Sequence, residues 1–306
     1  MKTKFLITLS LIVCTTFVNA QYYFYNGEFY ETDVLFEAGA SVGGMNAFTD
    51  LGGRTGVGKK GLKDFNIKNT HLSGGVFAGI MYRNAVGFRL EATFGKVSAY
   101  DSILKKVAPT TNGRYERYLE FQSSIAEVSA LFELHPFEMF GTYDDEKYPP
   151  VVSPYVLAGV GYFHFNPQAT LNGQLVDLQP LSLEGQGFAE YPHVKPYKLD
   201  QINFPVGIGA RYDITPSFNL RIEMLYRFLK TDYLDDVSGK YIEPSYFSNY
   251  LSGYKLNQAL LLNDRHIPGA EYSTAHPDGV RGNPNNKDSY ITLSMKFAFT
   301  IGRQRR

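Results

Sequence analysis

The chain has 306 residues, with 30 Lys and Arg balancing 30 Asp and Glu, and a single cysteine. Such a balance leaves no basic footprint for nucleic acid, and one cysteine allows neither an internal disulfide nor a cysteine metal site. Beyond the first twenty residues no apolar run reaches the ~18 residues of a transmembrane helix, whereas 23 Tyr, 23 Phe and 29 Gly without any Trp suit aromatic-rich strands with tight bends.

Lys2 and Lys4 open the chain, an apolar run follows from Phe5 to Val13, and Val18, Asn19 and Ala20 are small or short. This is the pattern of a secretory signal, and its apolar run is too short to span a bilayer. It predicts a signal peptide over 1–20, a mature start at Gln21, and loss of Cys14 with the signal. A lipidated Cys14 is the alternative; bulky Val13 before it and continuing apolar sequence after it argue against that. Residues 21–33, which begin with Tyr22, Tyr23, Phe24 and Tyr25, then read as a periplasmic segment.

From there, period-two alternation recurs in segments near 34–44, 71–82, 86–96, 119–134, 154–165, 202–212, 218–228 and 291–301. Such alternation marks half-buried strands. In the last, Ile291, Leu293, Met295, Phe297, Phe299 and Ile301 share one face, and Thr292, Ser294, Lys296, Ala298 and Thr300 the other. In the fourth, Leu119 and Phe121 match one phase while Val128, Ala130, Phe132 and Leu134 match the other, which predicts a β-bulge near Ser123-Ser124. Arg83-Asn84 and Asp213 to Pro216 read as tight turns. The stretches 45–69, 97–118, 166–200 and 231–288 read as long polar loops, and 135–152 is a longer connection on the short-turn side. Short turns at one rim and long loops at the other describe an outer-membrane barrel.

The polar face separates a membrane barrel from a soluble sandwich. It carries Glu37, Arg89, Glu91, Glu127, Glu133, Arg211, Arg221, Glu223, Arg227 and Lys296 at mid-strand, five acids and five bases, while the other face is uniformly apolar. A narrow lumen is filled by side chains, and balanced charges there can pair. The reading is all-β: one eight-stranded antiparallel up-and-down transmembrane β-barrel over 34–302, with a basic tail at 303–306 and a closed lumen.

Motifs with chemistry read weakly. Gly53 to Lys59 nearly fits a phosphate-binding loop, but Lys60 stands where a hydroxyl is required and no helix follows. Gly159, Gly161, Gly207 and Gly209 lie inside strands, where glycine permits close packing. The six histidines have no ligand spacing. His71 and Ser73 share the lumen face of a strand, the faint hint of a lipid-modifying hydrolase. Asp232, Asp235, Asp236 and Ser238 offer oxygen ligands without the spacing of a calcium loop, so a hydrogen-bonded loop anchor and a cation site both stay open. No cofactor is expected.

Several stretches together carry a family resemblance: Phe121 to Val128, Tyr155 to Pro167, Leu178 to Leu181 with Glu184 to Gly187, and Phe204 to Tyr212. The most specific is Thr231-Asp232-Tyr233-Leu234-Asp235-Asp236-Val237-Ser238, followed by Tyr241. In this order they resemble the PorG-like outer-membrane barrels of Bacteroidota, associated with the type IX secretion system. The resemblance implies an integral outer-membrane protein, not an enzyme, that is an accessory of the secretion machinery and contacts its periplasmic ring subunits. The tyrosine-rich start and the very long last loop depart from the family pattern. The candidate partner surface is the connection after the fourth strand, with Phe137, Met139 and Phe140 beside Asp144, Asp145 and Glu146. Aromatic anchors rimmed by charge are a common form of protein contact. The alternative is a surface-recognition or adhesion barrel acting through its long loops.

Overall fold

A computed structural model describes residues 29–52, 66–111, 113–140, 152–267 and 275–305. The near-phosphate-loop at 53–60, the signal segment, and Asp144, Asp145 and Glu146 lie outside the described residues.

The strands are β1 (Phe29–Phe48), β2 (His71–Tyr82), β3 (Val86–Tyr100), β4 (Glu120–Leu134), β5 (Val152–Leu171), β6 (Gln174–Asp177), β7 (Asp200–Thr215), β8 (Phe218–Leu229) and β9 (Ser289–Arg305). All pairings are antiparallel, and β1 with β9 and β4 with β5 close the sheet on itself. β6 pairs only with the far end of β5, so eight strands form the wall. Closure leaves no sheet edge, which a wall in contact with lipid requires.

Parity follows the sequence pattern. In β8, Asn219, Arg221, Glu223, Leu225 and Arg227 are buried, while Ile222 and Phe228 are exposed. In β9, Thr292, Lys296, Ala298 and Thr300 are buried, and Leu293, Phe297, Phe299 and Ile301 face outward. Val34, Phe36, Val76, Ile80, Phe88, Leu90, Val128, Phe132, Val156, Val160, Val206 and Ile208 extend the outward belt around the wall. A soluble sheet would bury this face and expose the charged one; here the arrangement is inverted. Along β7 the outward apolar run covers 202–212 and along β8 it covers 218–228, the ~9–11 residues of a transmembrane strand.

Three expectations need correction. First, β4 has no bulge at Ser123-Ser124. Its register runs unbroken from Val86↔Leu134 to Tyr100↔Glu120 on one side and from Gln122↔Gln168 to Leu134↔Val156 on the other. Phe121 and Ile125 point inward with Glu127 and Glu133. The apparent phase change arises because the lumen filling changes along the axis, from charged near the short turns to apolar near the long loops. The register shifts instead fall at the short-turn rim, between Glu31 and Phe36 and between Asp213 and Thr215.

Second, the long connections are not simply polar loops. Leu178, Leu181, Leu183, Phe188, Leu234, Val237, Phe247 and Leu262 pack with the barrel residues Met45, Val97, Phe121, Ile125, Phe163 and Phe165 into one core. A packed cap therefore stoppers the long-loop end, with a helix Gly253–Asn263 lying over it. Third, the terminal segments are not separate from the wall: Phe29, Tyr30 and Glu31 pair with Arg305, Gln304 and Arg303 as a two-stranded extension below the rim.

Candidate functional site

The lumen brings nine of the ten charged side chains into two clusters. Arg89 on β3 reaches Glu91 at 3.2 Å, Glu133 at 2.6 Å and Glu223 at 2.7 Å. Arg221 on β8 meets Glu133 at 3.0 Å and also binds Glu37, and Lys296 on β9 meets Glu223 at 3.2 Å and binds Glu91. Nearer the cap, Arg227 pairs with Glu127 at 3.1 Å, and Tyr290 donates to the same carboxylate at 2.8 Å. The tenth, Arg211, stands apart: it lies 3.4 Å from Asp213 and donates to Asn84 at 3.1 Å, at the short-turn mouth. All ten are no more than 8% exposed.

Parity alone did not single out the aromatic residues of this network. Phe77 lies with its ring centroid 5.3 Å from Arg89, 5.9 Å from Arg221 and 5.3 Å from Lys296, so cations that crowd one another share a π face. Tyr155 donates to Glu223 at 2.8 Å. Gly209 makes room for it, because a Cβ there would lie 2.3 Å from the Tyr155 ring. The void left beside Glu37, Phe77, Arg89 and Glu133 is about 10 Å³, room for one water at most. Among the described residues this part of the lumen is filled by side chains.

Hydrolase chemistry finds little footing. His71 bonds Ser98 on β3 at 2.6 Å rather than Ser73. His135 contacts Ser153 at 2.9 Å and lies 3.7 Å from Glu133, an arrangement resembling a nucleophile, base and acid. His135 and Ser153 are nonetheless fully enclosed and His135 stacks on Tyr155 at 4.9 Å. Both side chains are buried at the short-turn end of the lumen among the described residues.

The motif Thr231 to Ser238 leaves β8 directly into the cap. Asp232, Leu234, Asp235, Asp236 and Val237 are buried, and Tyr233 stacks on Tyr197 at 4.8 Å. Thr231 accepts the Tyr233 N–H at 3.1 Å, Asp235 the Val237 N–H at 3.0 Å, and Asp232 the Ser238 hydroxyl at 2.8 Å. Asp236 accepts the Tyr197 hydroxyl at 2.7 Å, and Asp288 accepts the Leu234 N–H at 2.9 Å. Glu184 receives Ser238 N–H at 2.9 Å, Gly239 N–H at 3.0 Å and Arg281 at 3.0 Å. Arg117 holds Asp101 at 2.7 Å and the Asp50 carbonyl at 2.6 Å, and donates to the Arg281 carbonyl. All four long connections therefore converge on one polar hub. The anchors from outside the motif (Arg117, Glu184 and Arg281) have no periodic signal in sequence.

The hub is rich in acid. Burial pushes Asp232 and Asp236 up to about 7 and raises Asp235 and Asp288 well above the usual carboxylate range, with neighbouring carboxylates adding to the rise for Asp235 and Asp288. Among the described residues no group of three or more His, Cys, Asp or Glu is arranged to hold a metal ion.

At the opposite end, the short helix Pro136–Phe140 follows β4. His135 ties it to the neighbouring turn through Ala85 O at 2.8 Å, and Glu138 and Met139 N–H both return to His135 O at 3.1 Å. Phe137, Met139 and Phe140 are 59%, 45% and 82% exposed.

No protein-family model matches this chain, and no curated protein matches it. Among solved structures it is similar to neisserial surface protein A (12% identity, 88% of this chain and 98% of the other, TM-score 0.35). It is also similar to a major outer membrane protein from Thermus thermophilus (14%, 88% and 100%, TM-score 0.36). A third is Ail, the attachment invasion locus protein of Yersinia pestis (9%, 89% and 100%, TM-score 0.35). These likenesses are distant, and placement in a membrane rests on the apolar belt itself.

Proposed function

We propose that this chain is an integral outer-membrane barrel that conducts nothing and serves as an anchor for periplasmic secretion machinery, of the type IX kind implied by its resemblance to PorG-like barrels. The observation that carries the reading is the exposed apolar group Phe137, Met139 and Phe140 on a short helix at the short-turn rim. Exposed aromatic side chains on a helix at this rim are the kind of anchor that a periplasmic docking partner uses. The filled lumen favours a scaffold over a pore.

The test is to replace residues 137–150 by a four-residue turn and confirm assembly by heat-modifiability. Loss of periplasmic subunits from a gentle detergent pull-down, with secretion impaired, is the expected result; intact co-purification would overturn the anchor. A surface-recognition role is the second reading, favoured by the packed cap, where Tyr254, Leu260 and Leu261 on the helix Gly253–Asn263 are exposed. Loss of cell-surface binding on trimming 231–288, with secretion spared, would select it.

A further inference from the structure

On the outer wall, where the belt meets the cap, β5, β7 and β8 frame an open depression lined by Tyr162, Lys198, Asp200, Gln201, Ile202 and Lys230. The registers set its layout. Tyr162 lies opposite Ile202, His164 opposite Asp200, and Phe204 opposite Phe228. Tyr162, Ile202, Phe204 and Phe228 are exposed and form the last apolar stretch of the belt. Lys198 and Lys230 stand just beyond it, and the Lys230 ammonium folds down to 5.2 Å from the Phe204 ring centroid. Among the described residues lining the depression the carboxylate is Asp200, held by His164 Nδ1 at 2.9 Å, so two ammonium groups outnumber one carboxylate.

We propose that this depression binds the phosphorylated headgroup of a lipid in the leaflet that faces the long loops. Lys198 and Lys230 contact the phosphate, while Tyr162, Ile202, Phe204 and Phe228 support the first part of an acyl chain. The charge is complementary, and the level is right. Ammonium groups on flexible stems lie where an apolar surface gives way to polar residues, which is where lipid phosphates lie. A soluble anion would use the lysines but leave the apolar floor uncovered; a lipid covers both. This site rests on reading the belt as membrane-spanning.

The experiment uses the full chain in nanodiscs and compares retention of diphosphorylated lipid A with that of its dephosphorylated form by native mass spectrometry. The expected result is preferential retention of the phosphorylated lipid. Each lysine should contribute about fivefold to affinity for an anionic headgroup, so K198Q with K230Q should abolish most of the preference. K240Q, on the cap, should change nothing. Equal retention of the two lipids, or a preference unchanged in the double variant, would overturn the site while leaving the belt intact. Displacement of the lipid by millimolar inorganic phosphate would mark a free-anion site and also overturn it. Failure of the chain to insert into bilayers would overturn the membrane reading and this site together.

Discussion

Arg221 on β8 donates to Glu133 on β4 at 3.0 Å, crossing the lumen between two strands that share no backbone pairing. Backbone ladders hold each strand only to its neighbours. This contact, with the Arg89–Glu223 pair at 2.7 Å, couples opposite walls and fixes the barrel's cross-section.

Breaking one member of that network should be expensive. Glu133→Ala leaves Arg89 and Arg221 buried with a partner removed, and should destabilise by about 3–5 kcal/mol. Replacing a whole pair, Arg227→Met with Glu127→Leu, should cost less than either single change, because no charge is left stranded. Urea unfolding midpoints in lipid vesicles give the comparison. A Glu133→Ala barrel as stable as the parent would show that the charges are solvated rather than enclosed.

The belt makes a second prediction. Met295 is exposed near the middle of β9's apolar run, so Met295→Arg should cost roughly 2–4 kcal/mol at the bilayer midplane. Leu175 on β6 is also exposed but lies beyond the belt, and Leu175→Arg should be nearly neutral. Equal tolerance of the two in vesicle refolding would mean that the belt does not face lipid.

Cap docking should depend on pH, with a definite sign. Asp232 and Asp236 sit at about 7 in the folded cap, against about 3.9 for a free aspartate. A carboxyl whose folded value is raised binds more protons when folded. Its contribution is therefore full below about 4 and is lost as pH rises through about 7. Asp50, Glu184 and Lys287 face Asp232, whereas Arg281, Tyr197 and Glu184 face Asp236. Hydrogen exchange in 231–239, corrected for intrinsic rates, should quicken as pH rises between about 4 and 7, the interval between the free and folded values. Asp232→Asn mimics the protonated form and should flatten part of that response. Exchange that quickens toward acid would reverse the argument.

Legibility in sequence followed the range over which each interaction acts. Strand parity is a property of every residue, so the wall and its inward charges could be read from alternation. Pair identity is not: Arg211 has the same parity as its neighbours on the lumen face, yet its partners are Asp213 and Asn84 at the rim. The bulge at Ser123-Ser124 was misplaced by the assumption that the lumen is polar throughout. Phe121 and Ile125 look out of phase only until the cap's apolar core is seen to enter the barrel. The hub anchors Arg117, Glu184 and Arg281 come from separate connections without periodicity, so alternation marked none of them, and only the motif and Glu184, in the stretch Glu184 to Gly187, were visible through the resemblance.

At the short-turn rim, point changes test the proposed docking surface more sharply than a deletion. Phe140 is 82% exposed and Phe137 59%, so Phe137→Ser with Phe140→Ser removes apolar surface from the outside of a short helix. Surface changes of this kind usually shift stability by no more than ~0.5 kcal/mol, so the barrel should assemble and migrate on gels as the parent does. If the rim docks a partner, loss of two aromatic anchors should still cost binding on the order of 2 kcal/mol or more, seen as loss of periplasmic subunits from the pull-down. Leu260→Ser with Leu261→Ser on the cap helix provides the matched control, also exposed but at the other end. It should leave that pull-down unchanged. Retained subunits in the rim variant, with cell-surface binding lost in the cap variant, would move the working surface of this barrel from the periplasm to the outside of the cell.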